Sequence, residues 1–310
     1  GAGANALTIN DNLYYLYFKP GKYVGTHAKV LRMEPEIPGL RFINYMKTGT
    51  PTSGDNGYIY GAPDQFNVTL RGTVPAGRSE FSIKGSIPDP PLFAAQYFRT
   101  TLEKNGIKVS GRSKKLIRKK KYEKGKLICT QTSPPLDSIV YFINKRSNNL
   151  YTEQLLKTIG LKVFHKGSTA KGIDAIMKYL KDNNLPTDGI KVYDGSGLSR
   201  TDMITAKSMA KLLVFITKQK FFNAFYNSLG IAGDLNDVGY FNSYGANTIL
   251  AYNARIKDGL VTGVRSHSGY LRDRSGRLIA FSLIANNFSC PTSDVNEIHK
   301  QVMLLLANLR

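Results

Sequence analysis

The chain has 310 residues, and its 43 Lys and Arg against 22 Asp and Glu leave a formal charge of +21, which favours anionic partners. A hydrophobic fraction of 42% with 11% aromatic residues fits a globular protein and excludes a disordered acidic tail or a collagen-like repeat. Cys129 and Cys290 allow one disulfide at most and no CxxC metal knuckle, no apolar run approaches the roughly 20 residues that cross a bilayer, and Gly1-Ala2-Gly3-Ala4 lacks the basic flank of a signal peptide, so the chain reads as soluble or as a piece of an exported protein.

At about 150 residues per domain the length suggests two domains. Residues 1 to about 88 read as mostly β. Leu13 to Phe18 is an aromatic run ended by Pro20-Gly21, and Gly57 to Tyr60, Asn67 to Arg71 and Glu80 to Lys84 alternate apolar and polar residues between turns. A helix is predicted from its cap Asp89, with Pro90 and Pro91 in its first turn. Phe93, Ala94, Tyr97, Phe98 and Leu102 form its apolar face, and Gly106 stops it. From Arg112 to Lys126, nine basic residues are offset only by Glu123. This run reads as a solvated hairpin or linker, with a phosphate-tracking patch as the alternative. Only Tyr122 interleaves with its charges, so the stacking expected of a single-strand binder is missing and no nucleic-acid partner is expected. The domain boundary is placed near residue 125, giving domains 1–125 and 126–310.

Beyond it the texture turns helical. Pro134-Pro135 opens a helix carrying Ile139, Phe142 and Ile143 to Arg146. Another carries Leu155, Leu156 and Ile159, a third Ile173, Ile176, Met177 and Leu180, and a fourth runs from Thr205 to about Lys218. Val264 to Leu271 and Leu278 to Asn286 flank the turn Asp273-Arg274-Ser275-Gly276 as a hairpin. The last helix has Asp294 and Glu297 in capping-box-like spacing, with Val295, Ile298, Val302, Leu305, Leu306 and Leu309 as its apolar stripe. The sum is an α+β chain, an antiparallel sheet flanked by helices.

Most catalytic patterns are missing. His27, His165, His267 and His299 show no metal-ligand spacing, so no metal or cofactor is expected. Gly1-Ala2-Gly3-Ala4-Asn5-Ala6 matches GxGxxA without the strand that would give it meaning. Asp194-Gly195-Ser196-Gly197-Leu198-Ser199 reads as a tight structural turn. Ser-x-x-Lys occurs at Ser168–Lys171 and Ser208–Lys211, both read as chance matches in so basic a chain.

Several stretches nevertheless line up in order. Thr132-Ser133-Pro134-Pro135-Leu136 precedes a helix ending in Ser147-Asn148-Asn149-Leu150-Tyr151-Thr152-Glu153. Tyr193-Asp194-Gly195-Ser196-Gly197-Leu198-Ser199-Arg200 and Asn227-Ser228-Leu229-Gly230-Ile231-Ala232-Gly233 follow, then Ile256-Lys257-Asp258-Gly259 and Ser266-His267-Ser268-Gly269-Tyr270-Leu271. In this order they resemble the D-alanyl-D-alanine carboxypeptidase/endopeptidase family of class C low-mass penicillin-binding proteins, densely over 126–310 and more weakly before. The resemblance implies a serine transpeptidase/β-lactamase-like domain with a mostly-β inserted domain. Of the family's Ser-x-x-Lys, Ser-x-Asn and Lys-Thr-Gly elements, Ser147 and Asn149 correspond to the second, the serine relaying a proton and the asparagine holding the substrate amide. Lys257, Asp258 and Gly259 correspond to the third, on a strand lining the cleft, and the Leu260 N–H would form half of the oxyanion hole. Implied partners are the peptidoglycan stem peptide and acylating β-lactams, in the periplasm or cell envelope.

Two departures follow from the same comparison. The family's Ser-x-x-Lys lies before the stretch matching Gly1, so the chain is expected to begin downstream of its nucleophile and of the first strands of its sheet, a possible N-terminal segment of the same protein supplying both. Asp258 stands where the family has threonine. At about 4 Å and an effective dielectric of 20 it would repel a substrate carboxylate by roughly 4 kcal/mol, about three orders of magnitude in affinity, unless Lys257 or Arg265 compensates or its carboxylate points away. The alternative function is a degenerate relative that binds peptidoglycan or a partner without turnover.

Overall fold

The computed structural model describes residues 3–117 and 126–310; the centre of the basic run, 118–125, and the first two residues of the GxGxxA match lie outside the described residues. The chain divides into two compact units, Gly1–Ile128 and Cys129–Arg310.

The first unit is built from β1 (Leu13–Lys19), β2 (Lys29–Glu34), β3 (Arg41–Asn44), β4 (Lys47–Gly49), β5 (Asn56–Tyr60), β6 (Asn67–Pro75), β7 (Phe81–Ser86) and the helix α1 (Pro90–Lys104). One antiparallel sheet has the order β2-β1-β7; in the other, β3 and β4 follow one another in the same register along one edge of β6, parallel to it, while β5 pairs with β6 antiparallel. Alternation in β1 drives Tyr14, Leu16 and Phe18 inward to meet Val68, Leu70, Val74, Ile83 and Phe93. Gly85 makes that packing possible, because a Cβ there would fall inside the Tyr14 ring, 2.1 Å from Cζ. β2, β3 and β4 escape the sequence reading because β3 and β4 are only four and three residues long and β2 exposes most of its side chains, which weakens any periodic signal. Asp89 caps α1 as expected, its carboxylate accepting the Leu92 N–H at 3.1 Å. The predicted apolar face of α1 is only half used: Phe93 and Ala94 are buried, whereas Tyr97 and Phe98 are exposed because only the first turns of the helix meet the core.

The second unit contains α2 (Leu136–Arg146), α3 (Asn149–Phe164), α4 (Thr169–Asp182), α5 (Ala206–Ile216), α6 (Phe222–Ser228), β8 (Gly230–Ile231), β9 (Arg255–Val261), β10 (Val264–Arg272), β11 (Leu278–Asn286) and α7 (Thr292–Ala307). The strands form one antiparallel sheet, β11-β10-β9-β8. Neighbouring residues of β10 face opposite layers. Leu271 joins Ile256, Phe281, Met303 and Ala307 under α7, while Tyr270 packs with Leu213 and Leu229, its hydroxyl donating to the Leu213 carbonyl at 2.8 Å. α3 and α4 approach closely through Gly160 and Gly172; a Cβ on Gly172 would lie 2.3 Å from the Leu156 carbonyl oxygen.

Two details of α7 differ from expectation. The helix starts after Pro291 with no side-chain cap, and Glu297 accepts from Lys300 and Gln301 instead of closing a capping box. Its buried stripe is Val295, His299, Met303 and Ala307, leaving Ile298, Leu305 and Leu309 exposed. The helix is turned this way because His299 finds a polar partner in the sheet beneath it, His267. Cys129 and Cys290 are both exposed and unpaired.

Candidate active site

α2 ends at Arg146, and Ser147 follows in the left-handed conformation with φ 51° and ψ 48°, uncommon for a residue with a Cβ. Asn148 then caps α3, its side-chain oxygen accepting the Tyr151 N–H at 2.9 Å. This corner projects Ser147 and Asn149 from the junction of two helices. Lys145 bolts it down. Its ammonium donates to the Leu229 carbonyl and to Asp237 Oδ1, each at 2.6 Å, and Asp237 Oδ2 accepts the Ile231 N–H at 2.9 Å. Asn144 adds a hydrogen bond to the Ser228 hydroxyl at 2.7 Å.

Lys257 on β9 faces that corner. Its ammonium donates to the Ser147 hydroxyl at 3.0 Å and to the Asp258 carbonyl at 2.8 Å. Between them opens a cavity of about 480 Å³ whose walls include Ser147, Asn149, Thr152, Gly195 to Leu198, Tyr240 and the run from Lys257 to Leu260. The structure thus brings Ser147, Asn149, Lys257, Asp258, Gly259 and Leu260 to one place, although positions 147 and 257 are 110 residues apart. Gly259 leaves the strand low there, since a Cβ would stand 2.7 Å from the Ser266 hydroxyl. Leu260 is exposed at the rim.

The carboxylate of Asp258 is neutralised. Arg265, across the hairpin, donates to Asp258 Oδ2 at 2.7 Å and is itself held by Asn296 of α7, whose side-chain oxygen accepts from Nε at 2.7 Å. Lys257 lies 3.3 Å from the other carboxylate oxygen. Burial would raise the Asp258 pKa, but Lys257 and Arg265 outweigh it and hold the carboxyl below its ordinary value. Two cations stand against one carboxylate, so both residues considered as its compensation, Lys257 and Arg265, do contact Asp258.

Behind this pair, His267 lies opposite Asp258 in the β9–β10 register, and its Nδ1 sits 2.9 Å from Nδ1 of His299. Both rings are buried. Burial, Arg265 and His299 push His267 down to about 3, and burial and Arg265 lower His299. Both rings are therefore neutral at pH 7, one Nδ1 donating and the other accepting. Among the described residues no group of three or more potential ligands stands ready for a metal.

Sequence reasoning missed several members of the site. Glu153 Oε1 accepts the N–H groups of both Gly195 and Ser196 at 2.9 Å, and Asp194 accepts those of Gly197 and Ser199, so the glycine turn is structural and is also a cavity wall. Tyr240 reaches the Arg146 carbonyl at 3.3 Å. The two Ser-x-x-Lys matches serve helix starts: Ser168 caps α4 and accepts the Lys171 N–H, and Ser208 bonds the α5 cap Thr205.

Residues 1–309 match the profile of the D-Ala-D-Ala carboxypeptidase 3 (S13) family. Among curated relatives, a D-alanyl-D-alanine carboxypeptidase of Actinomadura sp. is 27% identical over 72% of this chain and 42% of its own length. A penicillin-sensitive carboxypeptidase A of Dictyostelium discoideum is 24% identical over 99% of this chain and 60% of its own. The chain therefore spans about half the length of such relatives. Among solved structures, penicillin binding protein 4 of Haemophilus influenzae, crystallised with a β-lactam, superposes on all of this chain and 73% of its own, with a TM-score of 0.82 at 19% identity. The fold is that of a penicillin-binding protein.

Proposed function

From the premise that this chain belongs to the D-Ala-D-Ala carboxypeptidase 3 (S13) family, we propose that its cavity receives a peptidoglycan stem peptide ending in D-alanyl-D-alanine. The protein would act as a serine-type carboxypeptidase or endopeptidase of the periplasm or cell envelope. The observation that carries this reading is the 3.0 Å hydrogen bond from the Lys257 ammonium to the Ser147 hydroxyl. It joins a proton-relaying hydroxyl to a cation at the end of a cleft with room for a dipeptide. Asn149 supplies an amide for the substrate backbone, Lys257 the positive charge for the terminal carboxylate, and the Leu260 N–H one donor for the developing oxyanion.

In this reading the nucleophile is the serine of the family's Ser-x-x-Lys element, a role that neither Ser168–Lys171 nor Ser208–Lys211 fills, since both serve helix starts. Its hydroxyl attacks the penultimate D-alanine carbonyl, and the tetrahedral oxyanion collapses with cleavage of the amide. The leaving D-alanine amine takes a proton relayed through Ser147, and water then hydrolyses the acyl-enzyme. A β-lactam would stop at that ester. Incubating the intact parent protein with a fluorescent penicillin tests this. Covalent label that is lost in Ser147→Ala and Lys257→Met supports the enzyme; an unlabelled parent protein overturns it in favour of a peptidoglycan-binding relative without turnover.

A further inference from the structure

On the outer face of the second sheet of the first unit, tyrosines and cations occupy adjacent positions. From Arg41 to Thr48, β3, β4 and the link between them alternate: Arg41, Ile43, Tyr45 and Lys47 are exposed, whereas Met46 and Thr48 are buried. In β5 the exposed pair is Tyr58 and Tyr60, with ring centroids 6.3 Å apart. Register places Tyr58 opposite Arg71 of β6, and the Arg71 guanidinium lies 5.4 Å from the Tyr45 ring on the far side. A row Tyr58–Arg71–Tyr45 thus crosses three neighbouring chain segments, flanked by Tyr60, with Arg41 and Lys47 toward opposite ends of the sheet. Tyr45, Tyr58 and Tyr60 keep 58%, 60% and 55% of their surface in solvent, and no strand of this sheet contains Asp or Glu.

We infer that this face binds a glycan strand carrying sparse carboxylates. A tyrosine ring offers an apolar plane for the C–H face of a sugar and a hydroxyl for its polar edge, with little side-chain entropy to lose. Arg71 presents a planar fork that suits a carboxylate, and its position against the Tyr45 ring holds it in place. The ratio of rings to charges selects the partner. A nucleic-acid strand brings one phosphate per base and calls for a cationic track beside the rings; here a single cation stands among three tyrosines and the other two are marginal. The choice of a glycan also rests on the family reading. The site itself does not, because it shares no residue with the cavity beside Ser147 and Lys257.

The test measures binding of residues 1–310 to four probes by titration calorimetry: hyaluronan oligosaccharides, with one carboxylate per two rings, neutral chitin oligomers of equal length, polyglutamate and single-stranded DNA. Hyaluronan is expected to bind tightest. Tyr58→Ala/Tyr60→Ala and Arg71→Gln are each expected to weaken it about tenfold with an unchanged circular dichroism spectrum. Tyr58→Phe/Tyr60→Phe, which keeps the planes and the packing, should lose less. The inference is overturned if hyaluronan does not bind, if polyglutamate binds as well, if the alanine variant binds like the parent, or if DNA binds tighter through the same tyrosines. Penicillin labelling reads the other unit, so either proposal can fail alone.

Discussion

Removing the carboxylate of Asp237 tests how the Ser147 corner is held. The Lys145 and Asp237 side chains retain only 1% and 3% of their surface in solvent. At 2.6 Å and an effective dielectric of 20 their gross attraction is about 6 kcal/mol, most of it offset by desolvation. Taking one partner away is a different matter, because it strands a buried charge at a cost of about 3–5 kcal/mol. Asp237→Asn is nearly isosteric yet cannot replace the acid: Asp237 accepts at both oxygens, from Lys145 and from the Ile231 N–H, and an amide offers one acceptor. The unpaired Lys145 is expected to lower amide hydrogen-exchange protection in α2 by about a hundredfold or more. Exchange is the right readout because the chain has two compact units, and a bulk unfolding curve need not be two-state. Lys145→Met/Asp237→Asn should cost clearly less than the sum of the single changes. The reasoning is refuted if Asp237→Asn leaves α2 protection within about fivefold of the parent, or if the two penalties simply add.

The buried histidines set an acid limit. His267 and His299 have lowered pKa values, so below the ordinary value near 6.5 the unfolded chain binds protons that the folded one refuses, and stability falls as pH drops from about 6.5 toward 3. At pH 5, His267 alone is expected to cost about 2 kcal/mol relative to pH 7.5, read from urea midpoints, and His267→Phe should remove most of that slope. Asp258, held low, adds a loss in the same direction only below about pH 4. Gly172→Ala would drive a methyl into the Leu156 carbonyl and is expected to cost about 1–3 kcal/mol, seen as a lower thermal midpoint. In the intact protein Lys257→Met is expected to slow penicillin acylation at least about a hundredfold with the fold intact; an unchanged rate would remove Lys257 from the proposed site.

What the sequence revealed depended on how locally each feature is encoded. The β10–β11 hairpin, the Asp89 cap and the starts of α2 and α5 lie where alternation, turn residues and capping side chains sit within a few positions of one another. The α7 stripe departs from its aliphatic pattern because a His–His contact across 32 positions outweighs the largest aliphatic residues. Ser147, Asn149 and Lys257 were legible through the order of their motifs. Their supports were not: Lys145 reaches Asp237 across 92 positions, and Arg265 reaches Asn296 across 31, distances at which pattern carries nothing. Arg265 was half legible, since a hairpin turning between Val261 and Val264 returns it to the side of Asp258.

Among the described residues β11 forms one border of its sheet, and Leu278–Asn286 contains neither a charged residue nor a proline. Natural borders are commonly guarded by lysine, proline or a bulge, and a nine-residue span without them is a template for recruiting further backbone. Purified as residues 1–310, the protein should therefore oligomerise with rising concentration through intermolecular ladder growth, and its shelf life should improve when a lysine is placed at a solvent-facing position of that strand.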